Sequence, residues 1–149
     1  MFVLNSYGTE NKTLRLSPYD SSISNWVIAM NLYRLTLPQS KVLIGIDTCG
    51  MLHDKLTNKI QAIPCFEIER KKSMMELRRN NILGFSTLEN AKEFIVYDDE
   101  CVLWDKMKLV HTMKIGGMMI SDLVDDTYRA APNSVWTYAV QFQSMRNLF

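Results

Sequence analysis

The chain has 149 residues, 47% of them hydrophobic, with 17 basic and 16 acidic side chains and a formal net charge of +1. That length fits one domain, residues 1–149, with enough apolar material for a core. The charge balance argues against a dedicated nucleic-acid binder, which carries a basic excess, and leaves little net repulsion to keep copies apart.

Residues 2–5 read as a short strand, followed by a polar turn over 7–12 and a hairpin partner at 14–16. Ser21 or Ser22 offers an N-cap for an amphipathic helix carrying Ile23, Trp26, Val27, Met30 and Tyr33 or Arg34, which Leu37-Pro38 ends. The near-continuous apolar run 41–46 predicts a central strand, and Thr48-Cys49-Gly50 breaks it. Leu52, Leu56 and Ile60 are four apart, which suits a short helix, but a second strand of a hairpin fits equally. Pro64 stops that element, and 65–68 reads as a strand with Phe66 and Ile68 on one face.

The charged segment 73–79 is helix-prone. Ser86-Thr87-Leu88-Glu89 matches a capping box, followed by Leu88, Ala91 and Phe94 at helical spacing, although this helix collides with a strand over 94–97. Asp98-Asp99-Glu100 reads as the turn that ends that strand. Leu103, Met107, Val110 and Met113 predict a helix, Gly116-Gly117 a break, and 118–128 a second helix. After a turn at 132–134, Trp136, Tyr138, Val140 and Phe142 alternate with their neighbours, which predicts a strand with a buried aromatic face. Some five strands and three to five helices in no regular alternation favour an α+β fold over a doubly wound sheet.

The N-terminus has no basic n-region and too short an apolar run for a signal peptide. No apolar stretch approaches the ~20 residues of a membrane helix, so a membrane role would be peripheral. Cys49, Cys65 and Cys101 are odd in number and widely spaced, which points to free thiols in a reducing compartment.

No strong catalytic or metal motif is present. Asp98-Asp99-Glu100 with Asp125-Asp126 could gather oxygen ligands for Mg²⁺ or Ca²⁺, but two solvated turns explain them more simply. Asp47 at a strand end, with Glu69 and Lys71 after a neighbouring element, has the layout of a metal-dependent nuclease, in which acids hold the metal and lysine orients water. The same Ile46-Asp47 echoes the first strand of ribonuclease-H-like folds, and both of these matches are three letters long. His53 and His111 stand in no metal-binding spacing, and Cys49 with His53 lacks a second ligand pair. No cofactor is implied.

Arg70, Lys71, Lys72, Arg78 and Arg79 form one basic patch. Against Glu69 and Glu76 it keeps a net +3, which predicts free charge for phosphate or anionic lipid. Among the 10 methionines, the adjacent pairs Met74-Met75 and Met118-Met119 suit adaptable self-contacts.

Trp26 is followed twelve residues later by Pro38 and fifteen later by Lys41, which opens the aliphatic run 42–46. Further on come Ile95-Val96-Tyr97-Asp98-Asp99-Glu100, then Trp104-Asp105, then Trp136 in a late apolar segment. In these pieces the chain resembles vesiculovirus-type rhabdovirus matrix proteins, over about half its length. It departs from them in lacking a lysine-rich N-terminal arm and a Pro-Pro-x-Tyr motif. The resemblance implies a mostly antiparallel sheet of about five strands backed by two or more helices. It also implies a non-enzymatic structural protein of the virion that self-associates and bridges ribonucleoprotein and membrane. Its place would be the host cytoplasm and the inner membrane face, with no small-molecule substrate. Trp26, Pro38, Trp104 and Trp136 would then be scaffold. The alternatives are the small nuclease on Asp47, Glu69 and Lys71, or a generic protein-interaction subunit.

Overall fold

The computed structural model describes residues 2–4, 27, 31, 37–80, 84–121 and 134–146; for 2–4, 44, 47, 49, 121, 136 and 142–146 it describes the main chain alone. The readings over 7–16, at Asp125-Asp126 and over 132–133 lie outside the described residues, as does most of the helix expected over 23–34, of which Val27 and Asn31 are helical.

Among the described residues two sheets make up the frame. The first has three parallel strands in the order β1 (Phe2–Leu4), β2 (Val42–Asp47), β8 (Gly117–Ser121). The register sets Leu4 beside Ile44 and Asp47 beside Ser121, so β2 is central. Its near-continuous apolar run suits a parallel strand covered on both faces. Before it, a single 3-10 turn spans Gln39–Lys41. Gly116 N–H donates to both Gln39 O at 3.1 Å and Val42 O at 3.0 Å. A Cβ there would lie 2.3 Å from Ser40 O, so the chain can pass into β8 only with glycine.

Parallel strands need a long crossover, and here it carries a second sheet. Directly after β2 come β3 (Cys49–Asp54), β4 (Lys59–Pro64), helix α1 (Cys65–Lys71), a 3-10 turn (Lys72–Met74), β5 (Glu76–Asn80), β6 (Phe85–Glu89) and β7 (Glu93–Tyr97). The five strands form one antiparallel sheet in the order β4-β3-β7-β6-β5. Helix α2 (Glu100–Thr112) returns the chain to β8, and α3 (Val135–Arg146) follows. This is an α+β fold with the expected five-stranded antiparallel sheet, but the parallel sheet was not foreseen.

Short polar side chains fix the hairpin turns. Asp54 Oδ1 accepts from Leu56 N at 2.8 Å and Thr57 N at 3.2 Å, and Asn58 takes a positive φ of 56°. Leu52, Leu56 and Ile60 therefore belong to a hairpin, not a helix. Asn90 Oδ1 likewise accepts from Lys92 N and Glu93 N between β6 and β7.

Five segments differ from expectation. Residues 65–68 are helical, because Pro64 opens α1 and the Ile68 face packs under the sheet. Residues 73–79 are a 3-10 turn and the edge strand β5. Ser86–Glu89 caps no helix; it lies in β6, between β5 and β7. The segment beginning Val135 is helical, with Ser134 Oγ accepting from Thr137 N at 3.0 Å as its cap. Met118 and Met119 stand in β8, not in a helix.

One core gathers Val42, Ile46, Leu103, Met107, Val110, Ile115, Val135 and Tyr138 between the parallel sheet, α2 and α3. The other gathers Leu52, Ile63, Ile68, Leu88, Ile95 and Tyr97 between the antiparallel sheet and α1. Trp104 meets Tyr138 edge-on at 6.4 Å between centroids, joining α2 to α3.

Candidate functional site

Two places in this frame have the shape of a site. The first is the carboxyl end of the parallel strands, where open and closed parallel sheets hold their ligands. Leu4, Asp47 and Ser121 are the last residues of the three strands. One residue, the fully buried Thr48, separates Asp47 from β3, so the antiparallel sheet starts at this same end. Thr48 O accepts from Cys65 N at 3.1 Å and ties the start of α1 to it. Gly50 keeps the corner tight: a Cβ there would lie 2.7 Å from Val96 O and 2.8 Å from Ile68 Cδ1.

The second is a cleft of about 70 Å³ where α1, the β7–α2 junction and α3 meet. Its polar lining is Glu69, Lys72, Tyr97, Asp98, Asp99, Glu100 and Tyr138. The turn that ends β7 builds most of it. Asp99 is the N-cap of α2, its Oδ1 accepting from Val102 N at 3.0 Å. Its other oxygen takes Arg79 Nε at 2.9 Å and Arg79 Nη2. Asp98 turns inward, and its Oδ2 accepts from the fully buried Lys106. Burial pushes the Asp98 carboxyl up, with Lys106 pulling it back. Burial likewise raises the Tyr97 hydroxyl. The Tyr138 hydroxyl is pushed up to about 12, by burial first and then by Glu100, to which it hydrogen-bonds. Asp98 and Asp99 are therefore buried structural acids, not members of a solvated turn.

The basic segment is differently placed than local counting suggests. Lys71 Nζ donates to both oxygens of Glu93, at 2.7 and 2.8 Å. Lys72 pairs with Glu69, and Arg78 with Glu76 at 3.0 and 3.1 Å. Arg79 pairs with Asp99, and Arg70 stands 5.8 Å over the Phe66 ring. Glu93 and Asp99, both distant in sequence, supply the acids that a count over 69–79 leaves out. Of the proposed contact methionines, Met74 is 70% exposed. Met75 packs against the sheet core, Met118 against the other, and Met119 is half-buried.

The nuclease layout gains nothing. Glu69 and Lys71 are held by Lys72 and Glu93, and Asp47 is described in its main chain alone. Among the described residues no three His, Cys, Asp or Glu side chains are grouped to hold a metal. His53 Nε2 lies 2.8 Å from Asn58 Oδ1 in the hairpin, and His111 is exposed at the end of α2. Neither Cys65 nor Cys101 is in a disulfide, and no described helix is long and apolar enough to cross a membrane.

In sequence, no family model and no curated protein matches the chain. In structure, the fold is similar to chitinases and chitinase-like proteins. Human YKL-39, a pseudo-chitinase with retained chitooligosaccharide binding, superposes with a TM-score of 0.68 at 14% identity, over 80% of this chain and 39% of its own. A glycoside hydrolase family 18 N-acetylglucosaminidase from Paenibacillus barengoltzii gives 0.68 at 17% identity, over 93% and 42%. A class V chitinase from tobacco gives 0.64 at 15%, over 91% and 41%. The chain thus spans less than half the length of each of these structures. At such identities the likeness concerns the fold.

It overturns the rhabdovirus matrix resemblance. The pieces that carried it are generic: a lysine before a strand, an acid pair that caps a helix, and Trp136, which stands in α3 and not in a strand. The viral matrix, virion and ribonucleoprotein-to-membrane roles fall with it. So does the expectation of no small-molecule ligand, since YKL-39 binds chitooligosaccharides.

Proposed function

We propose that this chain forms part of a chitooligosaccharide-binding protein, with the sugar at the carboxyl ends of β1, β2 and β8 beside the antiparallel sheet. The observation that carries this reading is the backbone likeness to YKL-39, a protein that binds these oligosaccharides without being a working chitinase. General placement supports the locus, because parallel sheets present ligands at their carboxyl ends.

Binding, and not hydrolysis, is the reading taken. Glycoside hydrolysis commonly uses two carboxyl groups facing the scissile bond. Of the residues that end the three strands, Leu4, Asp47 and Ser121, one carries a carboxyl group, and the carboxylates of the separate cleft are already engaged: Glu69 by Lys72, Asp98 by Lys106, Asp99 by Arg79, and Glu100 by Tyr138.

The test is calorimetric titration of the full chain with N-acetylglucosamine oligomers of three to six units, cello-oligosaccharides as control, and product analysis by mass. Saturable binding of the N-acetylated series alone, without shortened products, is expected. Absence of heat up to about 1 mM ligand, a weak-binding limit of about −4 kcal/mol, overturns the reading.

A further inference from the structure

The two outer strands of the antiparallel sheet are built differently. β5 carries Glu76, Arg78 and Arg79 in a run of exposed residues, and charges of this kind keep an edge from pairing with another strand. β4, at the opposite edge, carries one charge, Lys59, at its start. Ile60, Gln61 and Ala62 follow it, all exposed and all uncharged. Leu56 stands exposed on the turn before them. An edge of that composition is a template for a further strand.

The ladder shows which backbone groups β4 turns outward, because bonded and non-bonded pairs alternate along antiparallel strands. Lys55 N donates to Lys92 O at 2.8 Å, in register with the β3–β7 pairs. Met51 and His53, in step with Lys55, therefore bond to β7, and Gly50, Leu52 and Asp54 bond to β4. Cys65 N donates to Thr48 O at 3.1 Å, one step beyond the Cys49–Pro64 pair, which sets the same phase from the other end. The bonded residues of β4 are thus Lys59, Gln61 and Ile63. Ile60 and Ala62 point both N–H and C=O away from β3. Pro64, with no N–H to give, falls in that outward set, where it breaks no ladder bond.

We propose that β4 is a homotypic interface, which pairs antiparallel with β4 of a second copy about a twofold axis at Gln61. In this register the N–H and C=O of Ile60 meet the C=O and N–H of Ala62 of the second copy, and the symmetry repeats the exchange. Moving the axis to Ala62 sets Ile60 against Pro64 and loses a donor. Moving it to Ile60 sets Ala62 against Asn58, which has a positive φ of 56° and lies outside the strand. A twofold contact needs a surface complementary to itself, and the side chains agree. Ile60 faces Ala62, Gln61 faces Gln61, and Lys59 faces the buried Ile63, so no like charges stand opposite. The turn with Leu56 comes alongside the start of the second copy's α1, where Phe66 is exposed. A net charge of +1 adds little repulsion between copies. This inference does not rest on the carbohydrate reading.

The test combines sedimentation equilibrium of the full chain with amide hydrogen exchange followed by NMR. A contact this small is weak, so the mass is expected to double from the 17.3 kDa of one chain over about 0.01–1 mM. Over the same range the amides of Ile60 and Ala62 should slow by about tenfold, while those of Lys59 and Gln61, already bonded to β3, stay unchanged. Ala62→Pro removes an outward donor and leaves the β3 ladder whole, and Ile60→Lys adds a charge to the edge. Each should keep the chain monomeric at about 1 mM. Leu77→Lys, on β5, should leave the association as it was. Should Ala62→Pro fail to fold, Ile60→Lys decides alone. A monomer throughout, or a dimer that survives Ile60→Lys, overturns the proposal. So does protection of Ile60 and Ala62 at every concentration, which would mean that a segment of the same chain occupies the edge.

Discussion

A lysine with none of its surface exposed, Lys106, stands on the buried face of α2, with Val102 on one side and Val110, Leu103 and Met107 on the other. An uncompensated ammonium there would be strongly unfavourable, and Asp98 is what makes it tolerable. The dependence runs both ways. Burial already holds the Asp98 carboxyl above the ordinary range, with Lys106 opposing. In Lys106→Met the opposition goes and the folded-state value rises further. A carboxyl with a raised folded pKa binds its proton more tightly folded than unfolded. Stability is then fully present below the unfolded value, about 4, and is lost as pH rises through the folded value. We expect Lys106→Met to cost little at pH 4 and about 3–5 kcal/mol at pH 8, read from urea midpoints. An equal loss at both values would mean that Asp98 does not stay charged and buried when its partner is gone. In sequence, Lys106 is one more charge on a helix, and nothing local marks it as interior.

At the scale of elements, the acids after β7 read as a turn, and the second of them also starts α2. Asp99, the residue before the helical stripe of Leu103, Met107 and Val110, is an N-cap by position alone. Asp99→Ala removes both the cap and the partner of Arg79. Asp99→Asn keeps a capping oxygen and loses the charge pair. The alanine variant is expected to lose at least the ~1 kcal/mol of a cap beyond what asparagine loses, by urea denaturation. Equal losses would assign the effect to Arg79. The segments where local pattern and observed element disagree have related causes. In β6, Phe85, Ser86, Thr87 and Leu88 are all buried, so no period of two was there to see, and the Ser-x-x-Glu spacing stood alone. In α3 the apparent alternation hides a face of Val135, Tyr138 and Ala139 against the core with Val140 47% exposed. Ser134 was the signal that could have settled it. For 65–68, an alternation of two residues was too short to outweigh the charged, helix-forming run that follows.

At the scale of the molecule, what the sequence could not display was pairing across distance. β2 was legible as a central strand from its own composition. Its neighbours were not, because β1 spans only Phe2–Leu4 and β8 begins at a glycine pair that read as a break. The candidate site suffers most from this. The carboxyl ends of three strands become one locus only after pairing, and the cleft needs residues from three separate elements. The basic segment shows the same limit in charge: Glu93 and Asp99 reach Lys71 and Arg79 only through the fold.

The pairing order also dictates which parts should open first. In the antiparallel sheet β4 and β5 are the outer strands, and four consecutive residues of each are exposed, Lys59 to Ala62 and Glu76 to Arg79. β3, β7 and β6 lie between them and carry Leu52, Ile95 and Leu88, of which the last two have no exposed surface. β2 is flanked on both sides in the parallel sheet. Local opening follows buried apolar contact and pairing on both edges. Native-state hydrogen exchange should therefore find the slowest amides in β3, β7, β6 and β2, and faster exchange in β4 and β5. Protection in β4 or β5 equal to that of β7 would mean that a further partner, from this chain or another, covers that edge. The comparison thus measures whether the antiparallel sheet is closed in itself or is one wall of something larger.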